Sequence, residues 1–99
     1  MNNEILKWLE NWYNSNCNGD WEHSYGITIE TIDNPGWHIK IDLKNTPLEK
    51  KIINYELKEN NETDWYGLKV ENSEFIATGD VHKLSFLLEL FKKLIEEEG

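Results

Sequence analysis

Apolar residues along the chain recur in two rhythms, and these divide it into elements. Ile5, Leu6, Trp8, Leu9, Trp12 and Tyr13 fall at spacings of three and four, which predicts an amphipathic helix with a wide aromatic face. Asn2 or Asn3 is the expected N-cap, and Asn18-Gly19 ends the helix. From residue 25 the period drops to two. Tyr25, Ile27 and Ile29 alternate with Gly26, Thr28 and Glu30. Past the turn signal Asn34-Pro35-Gly36, the run Trp37, Ile39, Ile41, Leu43 alternates with His38, Lys40, Asp42 and Lys44. Two such runs predict a β-hairpin, with Glu30 and Lys40 paired across its solvent face.

Thr46-Pro47 breaks the second strand. Ile53, Tyr55 and Leu57 alternate with Asn54, Glu56 and Lys58 and suggest a third strand; a short helix from Pro47 is the competing reading. Residues 59–63 read as a polar connector. Tyr66, Leu68 and Val70 predict a fourth strand, Asn72-Ser73 a turn, and residues 75–78 a short fifth. Gly79-Asp80 then opens a last helix, with Asp80 as its N-cap and Leu84, Leu87, Leu88, Phe91, Leu94 and Ile95 on its apolar stripe. Glu96, Glu97 and Glu98 lie at the negative end of its dipole, so that end is expected to fray. Strands joined by short turns must be antiparallel, and two amphipathic helices need a face to cover. The expected fold is α+β: an antiparallel meander of four to five strands with the N-terminal and C-terminal helices packed on one face. Residues 1–99 are expected to form a single domain.

Composition narrows what such a domain does. Ten lysines, no arginine and 19 carboxylates give a net charge of −9. A surface of that sign does not suit nucleic acid, whose binding depends on neutralising phosphates. Without arginine there is no bidentate clamp for carboxylate or phosphate substrates. The charge favours a basic partner or plain solubility. Five tryptophans in 99 residues supply the core that a 38% hydrophobic content would otherwise leave thin. A single cysteine, Cys17, excludes an internal disulfide and a cysteine-based zinc cluster. No signal-peptide pattern and no long apolar run is present, so a cytoplasmic protein off the membrane is expected.

Functional side chains are densest in Cys17-Asn18-Gly19-Asp20-Trp21-Glu22-His23-Ser24-Tyr25, between the first helix and the first strand. One reading makes Cys17 a nucleophile with His23 as its base. Against it, a lone cysteine near a helix end is usually a small buried hydrophobe. A second reading gives Asp20, Glu22 and His23 to a metal, with His38 or Asp42 added from the second strand. That set is poor in histidine and has no recognised spacing, and His82 reads as an ordinary residue near the start of the last helix. A third makes the loop a binding surface, since acidic residues steer a cationic partner and tryptophan anchors it. The plain alternative has Asp20 and Ser24 shaping the turn while Trp21 sits in the core, and the two are compatible. Trp37 begins the inward-facing run of its strand. Trp65 is out of phase with Tyr66, Leu68 and Val70, so it falls on the opposite face, beside Glu62 and Asp64, as an interface candidate.

The chain also resembles a known family. Leu9-Glu10-Asn11-Trp12-Tyr13 leads into Gly19-Asp20-Trp21-Glu22-His23-Ser24-Tyr25-Gly26, and the hairpin from Ile29 to Asn34-Pro35-Gly36-Trp37 follows. Ile41-Asp42-Leu43, Asp64-Trp65 and Gly79-Asp80 complete a pattern similar to that of the immunity protein 53 family of bacterial polymorphic toxin systems. The resemblance covers nearly the whole chain and is loosest over residues 45–63. It implies an α+β protein that binds and neutralises a toxin domain, without catalysis and without a cofactor. Toxin nucleases are commonly basic, so an acidic inhibitor fits. Contact roles for Asp20, Trp21, Glu22, His23, Asp42 and Trp65 come from charge and phase, not from the resemblance. A rhodanese-like sulfurtransferase label attached to some members would place thiol chemistry at Cys17. The chain lacks the arginine that typically follows a rhodanese cysteine, and its strand pattern is not the parallel βα kind.

Overall fold

Alternation in the middle of the chain builds one antiparallel sheet, and the helical segments at its ends cover a single face of it. The computed structural model describes residues 4–98; the cap expected at Asn2 or Asn3 lies outside them. The elements are α1 (Glu4–Asn16), a one-turn α2 (Trp21–Ser24), β1 (Ile27–Ile32), β2 (Gly36–Asp42), β3 (Ile53–Asn61), β4 (Asp64–Glu71), β5 (Glu74–Gly79) and α3 (Leu84–Glu98). The five strands lie in the order β1-β2-β5-β4-β3, all neighbours antiparallel. This refines the expected meander. Strands β3, β4 and β5 do form one, but β2 joins it at β5, which leaves β1 and β3 as the two edges.

Local chemistry explains the joints. The β4–β5 turn uses two residues at positive φ, Asn72 (54°) and Ser73 (62°), the two-residue geometry that matches strand twist. The segment between β2 and β3 is a series of turns rather than the competing helix. It is tied down by the buried Leu48 and by the Ser73 hydroxyl, which donates to the Glu49 carbonyl at 3.0 Å. Gly36 is required by close approach: a β-carbon there would stand 2.2 Å from the Gly79 carbonyl oxygen.

Ile39 and Ile41 of β2, Val70 of β4 and Phe75 of β5 turn toward the helices and are fully buried with Leu87, Leu88 and Phe91 of α3. Phe91 is the centre of this layer. Its ring lies 4.9 Å from Trp12, 5.9 Å from Trp8 and 5.0 Å from Phe75, so one side chain ties α1, α3 and the sheet together. The two edge-to-face contacts, with Trp8 and Trp12, add about 0.5–1.5 kcal/mol each beyond the area they bury.

Several expectations are corrected. Lys40 faces Thr28, and Glu30 faces His38; the Lys40 ammonium reaches Glu74 of β5 instead, at 3.3 Å. Between Ile53 and Glu56 the β3–β4 register slips by one residue. Ile53 therefore packs on the helix side, whereas Tyr55 and Leu57 point to the other face and stand 57% and 49% exposed. The supposed connector is mostly strand, because β3 continues to Asn61 and the turn is only Glu62-Thr63. Asp80 lies four residues ahead of α3 rather than at its cap. The acidic tail stays helical to Glu98, whose carboxylate pairs with Lys51.

Candidate functional site

The loop after α1 is held from within. The Asn18 carboxamide oxygen accepts the N–H groups of Asp20 (2.9 Å) and Trp21 (3.0 Å), so Asn18 organises the start of α2 in the way a capping residue does. Glu22 reaches back, and its two carboxylate oxygens accept the N–H groups of Asn18 (3.0 Å) and Gly19 (2.9 Å). Backbone N–H groups of Glu22 itself, Asn18 and Gly19 hold this carboxyl below the usual glutamate range, against the upward pull of partial burial. Trp21 is 3% exposed: its indole N–H donates to the Lys44 carbonyl at 2.7 Å, and its ring meets those of Trp12, Tyr13 and Tyr25. Asp20 and His23 are exposed, and the Asp20 side chain makes no capping bond. Trp21 therefore fixes the loop, while Asp20 and His23 are what it presents to solvent. Cys17 is half-buried, with its thiol directed at the Tyr13 carbonyl at 3.3 Å. No grouping of three or more histidine, cysteine or carboxylate side chains placed to hold a metal occurs among the described residues.

Asp42 and Trp65 lie elsewhere. Both belong to the sheet face that carries no helix, near opposite ends of β2, whose six residue steps from Gly36 to Asp42 span about 20 Å. Asp42 is half-buried, and its carboxylate accepts the Gly26 N–H at 2.9 Å, which closes the start of β1. Trp65 falls opposite Glu59 across β3–β4 and is out of phase with Tyr66, Leu68 and Val70, as its sequence position requires. Its ring reaches the backbone of Gly36, standing 3.4 Å from where a β-carbon would be. The six candidates thus form no single patch. Asp20, Trp21, Glu22 and His23 share the helix-side loop, Asp42 holds one end of the open face, and Trp65 holds the other.

A second polar cluster, centred on Asp80, is one that local pattern did not show. Asp80, 2% exposed, accepts the Trp65 N–H, the His82 N–H and the Lys83 ammonium, at 2.9, 2.9 and 2.8 Å. Burial pushes its carboxyl up, but Lys83 and the two N–H groups outweigh that and bring it down to about 2. Lys83 also bonds Asp64 at 2.7 Å, and hydrogen bonds to the two carboxylates raise its ammonium above the usual lysine range. The cluster locks the start of β4 to the end of β5, directly behind Trp65. The sequence marked Asp80 only as the expected cap of the last helix.

Two concavities adjoin these residues. A groove of about 460 Å³ between α1 and β1 is lined by Leu6, Leu9, Glu10, Tyr13, Gly26 and Ile27, next to the Trp21 loop. A cleft of about 390 Å³ lies at the β3–β4 end of the open face, lined by Asn34, Leu57, Glu59, Glu62 and Trp65. Among the described residues no helix is long and apolar enough to cross a membrane. No curated protein and no solved structure matches the chain. One family model does, that of immunity protein 53, over residues 6–96.

Proposed function

The chain belongs to the immunity protein 53 family, and from that premise we propose that it neutralises its toxin by stoichiometric, charge-complementary binding in the cytoplasm. An immunity role, with a toxin as partner, comes with the family. The observation that carries the binding mode is a net charge of −9 with no arginine, on a fold whose sheet leaves one face without helices. The partner is then a basic domain of a bacterial polymorphic toxin, of the kind a nuclease presents to its nucleic acid. An acidic inhibitor of similar sign to that substrate covers the basic surface and excludes it. Complementary charge also raises the association rate, toward about 10⁸–10⁹ M⁻¹s⁻¹ in favourable cases, so capture outruns damage. Asp20, Glu22, His23, Asp42 and Trp65 are the contact candidates, with Trp21 holding the loop in place.

Stoichiometric capture makes a prediction that thiol chemistry at Cys17 or a metal-assisted reaction at Asp20, Glu22 and His23 does not. In cells titrated with both proteins, protection should end when toxin exceeds the immunity protein, and the two should co-purify one to one. Cys17→Ser should protect as well as the natural chain. Protection by a small fraction of the toxin's amount would indicate turnover and overturn the reading.

A further inference from the structure

Near Asp42 the open face carries Lys40 and Glu74, but it changes character at its β3–β4 end. The register slip in β3 turns Tyr55 and Leu57 onto this face. Tyr55 lies across Gly67, its hydroxyl 2.6 Å from where a β-carbon would stand, and Trp65 lies against Gly36. The two glycines let aromatic rings rest on the sheet, and the Trp65 ring forms one wall of the cleft shared with Leu57, Glu59, Glu62 and Asn34.

The charge around this cleft is uncompensated. Lys58 is engaged by Glu56 at 3.0 Å and Lys83 by Asp64 and Asp80 at 2.7 and 2.8 Å. Among the described residues, neither Glu59 nor Glu62 has an ion pair or a hydrogen bond through its carboxylate. An indole beside two free carboxylates suits a cation with an apolar stem: the charge sits between the ring and the acids, and the methylenes cover Leu57. The surrounding chain, at −9, adds the long-range field that draws such a group in. A second copy of the same chain would bring another −9 to this face, which disfavours self-pairing.

We propose that the cleft between Trp65 and the Glu59–Glu62 pair receives a lysine or arginine side chain of the toxin domain, making the β3–β4 end of the open sheet face the anchor of the complex. The assignment rests on the immunity reading above. Trp65 is the platform, Glu59 and Glu62 are the counter-ions, and the Asp80–Lys83–Asp64 cluster holds the platform from behind.

The test is a binding titration with the C-terminal domain of the toxin encoded beside this gene, made inactive so that it can be purified. The immunity protein is used as the full chain. Glu59→Gln with Glu62→Gln changes only exposed side chains and should keep the melting temperature, weaken binding about ten-fold or more, and flatten its salt dependence. Trp65→Ala should weaken binding by a similar factor; Trp65→Phe keeps an aromatic wall and should recover most of it if the ring acts as a surface for the cation. A natural chain that binds while the Glu59/Glu62 variant binds equally well overturns the cleft and leaves the immunity reading standing. A natural chain that does not bind that domain overturns the immunity reading itself. A dimer that Leu57→Lys breaks without change in toxin affinity would assign the face to a second copy and overturn the proposal.

Discussion

At the scale of single residues, Asp80 is the carboxylate most deeply built into the fold, holding the start of β4 to the end of β5. It satisfies two backbone N–H groups and one ammonium from a site that is 2% exposed. Asp80→Ala would leave the Trp65 and His82 N–H groups without acceptors and Lys83 with Asp64 alone. Urea denaturation should show a loss of about 3 kcal/mol, the scale for breaking a buried charged network. The same carboxyl dictates a pH effect. Its folded value of about 2 lies below the unfolded value near 3.8, so its stabilisation is complete above about pH 4 and is lost as pH falls toward 2. Asp80→Asn should flatten the stability profile in that window; an unchanged slope would place the acid sensitivity elsewhere. In the sequence Asp80 reads only as a helix cap, because its burial and its bond to the Trp65 N–H depend on β4, brought in from fifteen residues away. Trp21 shows the opposite case. Its core position was one of two compatible readings of the loop, and the structure takes it by closing the indole N–H on the Lys44 carbonyl.

At the scale of elements, periodicity read well wherever one face of a segment is buried. Helices α1 and α3 and strands β2, β4 and β5 follow their apolar rhythms, since each presents one stripe to the same core. Strand β3 did not, and the reason is physical. It is an edge strand with eight of its nine residues exposed, so little burial enforces its phase and a one-residue slip is tolerated. The joining of β2 to β5 was equally illegible, being a pairing between residues 32 to 42 positions apart, such as Trp37 with Gly79 and Asp42 with Glu74. The two kinds of element should respond differently to substitution. Phe91→Ala, at the meeting point of α1, α3 and β5, should cost about 3–5 kcal/mol. Leu57→Lys, half exposed on β3, should stay within about 0.5 kcal/mol. Hydrogen exchange should divide in the same way. Amides of β2 and β5, paired on both sides, should exchange most slowly, and those of β3 that point away from β4 should exchange fastest.

At the scale of the whole molecule, charge is the property most open to direct test. Nineteen carboxylates against ten lysines make a field that no single contact reproduces, yet many of these carboxylates have local occupations. Asp80 is locked in a structural cluster, Asp42 closes the start of β1, and Glu22 stitches its own loop. Glu98 is tied to Lys51 at the end of α3. Steering and anchoring should therefore separate in the kinetics. Raising ionic strength from 0.01 to 0.15 M shortens the screening length from about 30 to about 8 Å. If the field draws the toxin in, the association rate should fall by about ten-fold or more over that range, with the dissociation rate changing much less. Glu96→Gln with Glu97→Gln, far from the cleft, should lower the association rate slightly through net charge alone. Glu59→Gln with Glu62→Gln should do the same and also speed dissociation, because these carboxylates stay in contact with the bound cation. Stopped-flow mixing at several salt concentrations measures both rates, and an association rate independent of salt would mean that the acidity of this chain serves only to keep it in solution.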